Sequence, residues 1–356
     1  MSLRAPIGSE FVGVKPLPDG HGFDLSALSR ILIDATGERG ALTLEQFRGG
    51  QSNPTFRISV NGAPRFVLRK QPSGPLLPSA HAVDREFRII AALAGTGVPT
   101  PEPIAFSDDA SIVGAPFYIM RHVDGRSIWD PALPDLSPKA RAATYDEMNR
   151  VLAELHAVDP EKIGLEGYGR IGNYFSRQIA RWTKQYRASE TETIDAMERL
   201  IAWLPENIPA DDQTTIVHGD FRLDNLIFHK TEPRILAVLD WELSTLGHPL
   251  ADLGYNVLAW RLPINARGLA GYDLAALGVP DEDAYVRAYC ARAGRPPFAA
   301  RDWRFCIAYN MFRVACIRQG IMRRVIDGTA ASDHAATAGR RAREMAELGW
   351  KEAERA

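Results

Sequence analysis

The 356-residue sequence predicts an α+β chain of two lobes, a small antiparallel β-sheet lobe followed by a larger, mainly helical one. Three observations carry this. Short strand-like runs separated by turn residues fill the stretch from Leu42 to Met120. Helical periodicity dominates after Ser137. Between the helical stretches lies a polar segment, His218 to Glu242, framed by short apolar runs. Residues 1–22, which bear Gly and Pro, are expected to be a flexible leader. Residues 23–122 then form the N-terminal lobe and 123–356 the helical lobe.

The elements follow in order. A short helix is expected from Asp24 to Ala35. Leu42 to Phe47 and Thr55 to Val60 read as strands on either side of Arg48-Gly49-Gly50-Gln51-Ser52-Asn53-Pro54. Asn61-Gly62 is a hairpin turn that returns the chain into Arg65-Phe66-Val67-Leu68-Arg69. Val83 to Leu93 is an amphipathic helix with Glu86, Ile90 and Leu93 on one face. Val98-Pro99-Thr100-Pro101-Glu102-Pro103 breaks it, and Phe117 to Met120 is a buried strand running into Arg121-His122-Val123-Asp124-Gly125. Ser137-Pro138 caps a helix to Val158. Further helices are expected at Asn173 to Ala188, Leu250 to Trp260, Glu282 to Ala293, Arg301 to Val325 and Asp333 to Glu354.

Composition bounds the function. With 46% hydrophobic residues, the chain can bury sizeable cores. A formal net charge of -2 and the lack of a basic stripe argue against nucleic acid as a partner. No apolar run approaches the roughly 20 residues of a membrane helix, so no membrane partner is expected and cytoplasmic location is the default. The three cysteines, Cys290, Cys306 and Cys316, lack metal-ligand spacing and read as buried thiols.

His218-Gly219-Asp220, then Asn225, then Asp240 supply a base and two ligands for magnesium. The gap from Asp220 to Asn225 is that of the kinase catalytic loop, in which an aspartate orients the attacking hydroxyl and accepts its proton. Strands at Leu226 to Phe228 and Ile235 to Leu239, joined by a turn at Lys230 to Pro233, bring Asp240 back beside Asn225. Their hard oxygen atoms suit magnesium, which borrows its remaining ligands from phosphate and water.

His-Gly-Asp-x-x-x-x-Asn followed by a hydrophobic strand and Asp240-Trp241-Glu242 resembles the aminoglycoside phosphotransferase family of small-molecule kinases. The run from His218 to Tyr255 is most similar to the kinase domain fused to acyl-CoA dehydrogenase-like proteins, and the resemblance extends from about Phe47 into the C-terminal helices. It implies a protein-kinase-like fold, ATP and Mg2+ as cofactors, and a small-molecule hydroxyl acceptor. In such folds the glycine loop covers the nucleotide phosphates, here with Gly50, Ser52 and Asn53. Kinases place a lysine on the third strand, paired with a helix glutamate. This chain departs from that pattern: Arg69 stands there, with Glu86 as its expected partner and Lys70, on the opposite strand face, as the alternative. Arg121 and Val123 lie in the hinge that would meet adenine through backbone groups. Asp252 resembles the aspartate that braces the catalytic loop.

Arg222 is either a contact for the transferring phosphate or an exposed arginine. Glu242 either approaches the metals or caps a loop. Trp241, Tyr255, Trp260, Tyr309 and Arg313 are candidates for the acceptor pocket or for core. His218, His156 and His248 read as structural. With no Ala-Pro-Glu segment and no long activation loop after Asp240, the acceptor is expected to be a metabolite rather than a protein, with a hydroxyacyl group or its CoA thioester as a candidate. Two other classes compete. A non-catalytic nucleotide-binding module would not need Asp220, and a metal-dependent hydrolase would gather His218, Asp220, Asp240, Glu242 and His248 around a transition metal.

Overall fold

The computed structural model describes residues 12–17, 22–48, 53–72, 82–329 and 335–356. Its N-terminal lobe is a six-stranded antiparallel sheet with β1 (Val14–Pro16), β2 (Leu42–Phe47), β3 (Thr55–Val60), β4 (Ala63–Lys70), β5 (Pro103–Ser107) and β6 (Phe117–Arg121) in the order β1-β2-β3-β4-β6-β5. Asn61 and Gly62 both take positive φ, +52° and +79°, the left-handed pair that a tight hairpin turn demands. Within the segment expected to be a loose leader, Val14–Pro16 forms an edge strand paired with β2.

Strand alternation decides what β4 presents to each side. Phe66 and Leu68 pack with Ile58, Phe117 and Ile119 against helix α1 (Leu25–Thr36), which Asp24 caps by accepting the N–H groups of Ser26 and Ala27. Val67 instead joins Tyr118 and Met120 in the core beneath helix α2 (Val83–Leu93), which continues into the second lobe. Arg69 lies on that inner side. The short helix α3 (Ala110–Val113) covers the outer face.

The helical lobe contains α4 (Pro138–Ala157), α5 (Tyr174–Ser189), α6 (Asp195–Glu206), α7 (Pro249–Arg261), α8 (Leu274–Leu277), α9 (Glu282–Arg292), α10 (Ala300–Ile326), α11 (Ala335–Gly339) and α12 (Ala342–Ala353). Two small antiparallel sheets lie among them: a three-stranded one in which β9 (Leu226–Phe228) runs between β7 (Arg126–Ser127) and β10 (Ile235–Val238), and the pair β8 (Thr215–Val217) and β11 (Thr245–Gly247). Helix α10 is the spine of a core that buries Phe305, Tyr309, Phe312 and Cys316 against α5, α6, α7 and α12. All three cysteines are free thiols and buried.

Helix α6 has no counterpart among the sequence expectations, and the expected helix from Asp333 to Glu354 is divided at Arg340 and Arg341 into α11 and α12, its first two residues lying outside the described ones. Gly339 makes that division compact, since a Cβ there would stand 2.8 Å from the Cβ of Met322 on α10. Among the described residues, no helix is long and apolar enough to cross a membrane.

Candidate active site

The loop between β8 and β9 is held from below by α7. Asp252, in the first turn of α7, is buried and accepts the N–H of His218 at 2.6 Å and that of Gly219 at 2.8 Å. Its Oδ2 also lies 3.2 Å from Nε2 of His156. Burial alone would raise the Asp252 carboxyl, but the hydrogen bond and charge of His156, with His218 behind them, outweigh it and hold the group below its ordinary value. His218 Nδ1 accepts the Asp220 N–H at 3.1 Å, so Nε2 carries the proton given to the Leu239 carbonyl at 2.9 Å. Gly219 is required here: its φ is +81°, and a Cβ would stand 2.8 Å from the Leu243 carbonyl oxygen.

This bracing presents Asp220. Asn225 Nδ2 donates to the Asp220 backbone oxygen at 2.9 Å and to its carboxylate at 2.8 Å. With its nitrogen so engaged, Asn225 has Oδ1 as the atom able to ligate a metal. The β9–β10 hairpin closes with the Leu239 N–H donating to the Asn225 carbonyl at 2.8 Å, and the next residue, Asp240, turns out of the strand at φ +67°. That left-handed conformation is uncommon for a residue other than glycine, and it marks a site where strain is retained for position. Behind it Trp241 is 1% exposed, and its ring lies 4.6 Å from that of His218.

Across the cleft, Arg69 Nη2 donates to Asp240 at 2.5 Å, while its Nε is 3.0 Å from Glu86 Oε2. Glu86 is fully buried and further held by Asn53 Nδ2 at 2.7 Å and by the Tyr118 hydroxyl at 3.1 Å. Burial pushes the Glu86 carboxyl up against the pull of Arg69. Burial would likewise depress Arg69, yet Glu86 and Asp240 together raise it, so its charge is secure. Lys70 points to the outer face, where Nζ donates to the Val113 carbonyl at 2.5 Å and lies over the Phe23 ring. Glu242 Oε2 stands 3.9 Å from Arg69.

The other expected positions are distributed unevenly. Gly50 and Ser52 lie outside the described residues. Asn53 supports Glu86 through its amide. The Arg121 N–H is already given to the Glu102 carbonyl and its guanidinium to Glu38 and Glu102, whereas the N–H and C=O of Val123 make no hydrogen bond among the described residues. Arg222 bridges Asp220 and Asp224, each at 3.2 Å.

Beside Asp220 opens a cleft of about 690 Å³ whose walls include Arg222, Tyr255, Trp260, Arg313, Arg318 and Arg341. Trp241 and Tyr309 are core residues. Arg313 does double duty: it donates to the Gly219 carbonyl and lies 4.8 Å from the Tyr255 ring centroid. Asn256 Nδ2 donates to the Phe221 carbonyl at 3.2 Å, a second brace that the sequence reading did not single out. The signal was present, since Asp252, Tyr255 and Asn256 fall within one helical turn of each other on α7.

The hydrolase arrangement does not form. Both nitrogens of His218 are engaged, His248 accepts the Leu250 N–H on Nδ1 while its Nε2 faces the Asp211 carbonyl, and among the described residues no three His, Cys, Asp or Glu side chains converge as a metal site.

Residues 43–292 match the phosphotransferase enzyme family. The chain belongs to that family. Among its solved members, a candidate aminoglycoside phosphotransferase from Ralstonia eutropha JMP134 is 53% identical, superposes with a TM-score of 0.85, and is matched over 94% of this chain and 99% of its own. Aminoglycoside phosphotransferase APH(4)-Ia, crystallised with ADP and hygromycin B, shares the fold at a TM-score of 0.59 and 17% identity, over 92% of this chain and 98% of that one. Acyl-CoA dehydrogenase family member 10 of Mus musculus is 49% identical over 98% of this chain and 33% of its own length. Family member 11 of Rattus norvegicus is 41% identical over 94% of this chain and 44% of its length. The chain thus spans less than half of these curated relatives. The fold of this phosphotransferase is kinase-like, an antiparallel sheet lobe followed by a helical lobe that holds the cleft beside Asp220.

Proposed function

We propose that this phosphotransferase moves the γ-phosphoryl group of ATP, with magnesium, onto a hydroxyl of a small metabolite. The observation that carries the reading is the braced loop in which Asp252 fixes His218 and Gly219 while Asn225 fixes the Asp220 carboxylate at the mouth of the cleft. Asp220 aligns the acceptor hydroxyl and takes its proton as the oxygen attacks phosphorus. Asn225 Oδ1 and Asp240 offer an all-oxygen donor set that fits Mg2+; these two residues would hold the ion, which would supply positive charge to offset that of the nucleotide phosphates. Arg69 is already placed on Asp240, and its guanidinium would offer donors to phosphate oxygens brought to the same carboxylate. Gly50, Ser52 and Asn53 belong to the strand-connecting loop assigned to the phosphates, and Val123, with free backbone groups, is the better hinge contact than Arg121. Arg222, held by Asp220 and Asp224, is positioned to offset charge developing on the transferred group.

The acyl-CoA dehydrogenase names of the mammalian relatives make a hydroxyacyl compound, free or as a CoA thioester, the acceptor to try first, beside aminoglycosides. ADP release measured with magnesium and ATP across hydroxyacyl compounds, sugars, amino alcohols and aminoglycosides tests this directly. Acceptor-dependent turnover is expected to fall by about a hundred- to ten-thousand-fold in Asp220→Ala. ATP binding without turnover on any acceptor would instead favour the non-catalytic module.

A further inference from the structure

The cleft beside Asp220 is cationic beyond what its own acids offset. Its walls hold five arginines, at 222, 267, 313, 318 and 341, and two acids, Asp220 and Asp224. Arg222 is paired with both acids, and Arg313 is bonded to the Gly219 carbonyl and packed on Tyr255. The far end is different. Arg318, on α10, makes no hydrogen bond or ion pair among the described residues, and its Nη1 is shut off from solvent without a partner. Arg341, at the start of α12, faces the same space, and its nearest carboxylate, Glu344, is 3.9 Å away. Burial first, and then the positive charge of Arg341, lower the affinity of Arg318 for its proton, against the smaller opposing pull of Glu344 and Tyr255.

Two like charges beside one cavity, one with a buried unsatisfied donor, cost folding free energy that a bound anion would recover. Val314, Ile317 and Ile321 of α10, together with Leu258 and Leu262, add apolar surface to the lining of the same cleft. Arg318 stands five residues beyond Arg313, about 7.5 Å along the helix axis, and Asp220 and Arg318 line the same cleft, so one elongated acceptor can meet both.

We propose that Arg318 and Arg341 form an anion-binding subsite that selects acceptors carrying a carboxylate or phosphate group remote from the reactive hydroxyl. The proposal rests on the phosphotransferase reading of the cleft for its link to the acceptor, but the subsite can be tested without catalysis. Butyrate, butyl phosphate and butanol serve as probes in ligand-detected NMR titrations of the full chain. One of the two anions is expected to bind, butanol at least tenfold more weakly, and the stronger anion tells carboxylate from phosphate. Arg318→Gln and Arg341→Gln should each weaken that anion at least tenfold, while Arg318→Lys keeps most of the affinity. Because Arg318→Gln removes a like-charged neighbour and breaks no ion pair, its unfolding midpoint should not fall, which separates a lost site from a lost fold. Absence of anion binding, or equal binding to wild type and both Gln variants, overturns the subsite. Anion binding that behaves as expected, in a protein that phosphorylates no acceptor, would leave the subsite standing and overturn only the transfer reaction.

Discussion

Asp252 never meets the cleft, yet two backbone N–H groups of the catalytic loop converge on it. Because its folded carboxyl sits below the ordinary value, its stabilisation is fully present above the unfolded carboxylate range, about pH 4, and is lost as pH falls through the folded value. Asp252→Asn should therefore cost about 1–3 kcal/mol at neutral pH, with the gap to wild type closing under acid conditions. Urea midpoints at pH 7 and near pH 3 check this, and an unchanged gap would sink it. The trio Asp220, Asn225 and Asp240 was legible in the sequence because loop spacing and one hairpin connect them. Arg313, Asn256, Arg318 and Arg341 were not legible in these roles. The partners of Arg313 and Asn256 lie on elements far away in the chain, and spacing carries no information about which arginine finds a carboxylate and which, like Arg318, does not. That Arg69 and Lys70 face opposite sides of β4 was legible from strand alternation, and their contacts agree.

Helices and strands with clear boundaries were the readable ones. Ser137 and Asp24 cap α4 and α1 as their residue types suggest. Helix α6 has a regular apolar face of Ala196, Met197, Leu200 and Leu204, but Ile194 at its start gives no side-chain cap and Pro205 sits in its last turn, so the usual signals point away from a helix. Strands β1 and β5 carry proline at one end and exist through pairing with distant partners. The junction of α7 with α10 positions both Asp252 and Arg313, and Gly254 permits it. A Cβ at Gly254 would come within 2.4 Å of Cys306 Sγ and 2.9 Å of Asn310 Nδ2. Alanine favours a helix interior by about 1 kcal/mol over glycine, but overpacking costs typically about 1–3. Gly254→Ala should thus be net destabilising and slow turnover, as read by denaturant midpoint and steady-state rate. A more stable variant would show that the two helices can part freely.

At the scale of the whole molecule, Arg69 on β4 of the sheet lobe is joined by charge to the helical lobe, closely to Asp240 just beyond β10 and at longer range to Glu242. The same core runs beneath it, from Val67 and Ile90 to Trp241 and Val257, so the lobes share apolar packing as well as charge. That the chain divides into a sheet lobe and a helical lobe could be read from period alone. How the two meet could not, because it depends on which face of β4 is inward and on the depth to which Glu86 is buried.

The burial of every cysteine has a practical outcome. Cys290, Cys306 and Cys316 are at most 2% exposed, all sit in the helical lobe, and burial raises the pKa of each thiol, so little nucleophilic thiolate is presented to solvent. A chromogenic disulfide reagent should leave the native protein unmodified and titrate three equivalents once it is denatured. Rapid uptake of even one equivalent by the native protein would contradict the packing around α9 and α10. Otherwise the slow rate of colour development becomes a clock for opening of the helical lobe, available without a tag, a dye or any mutation.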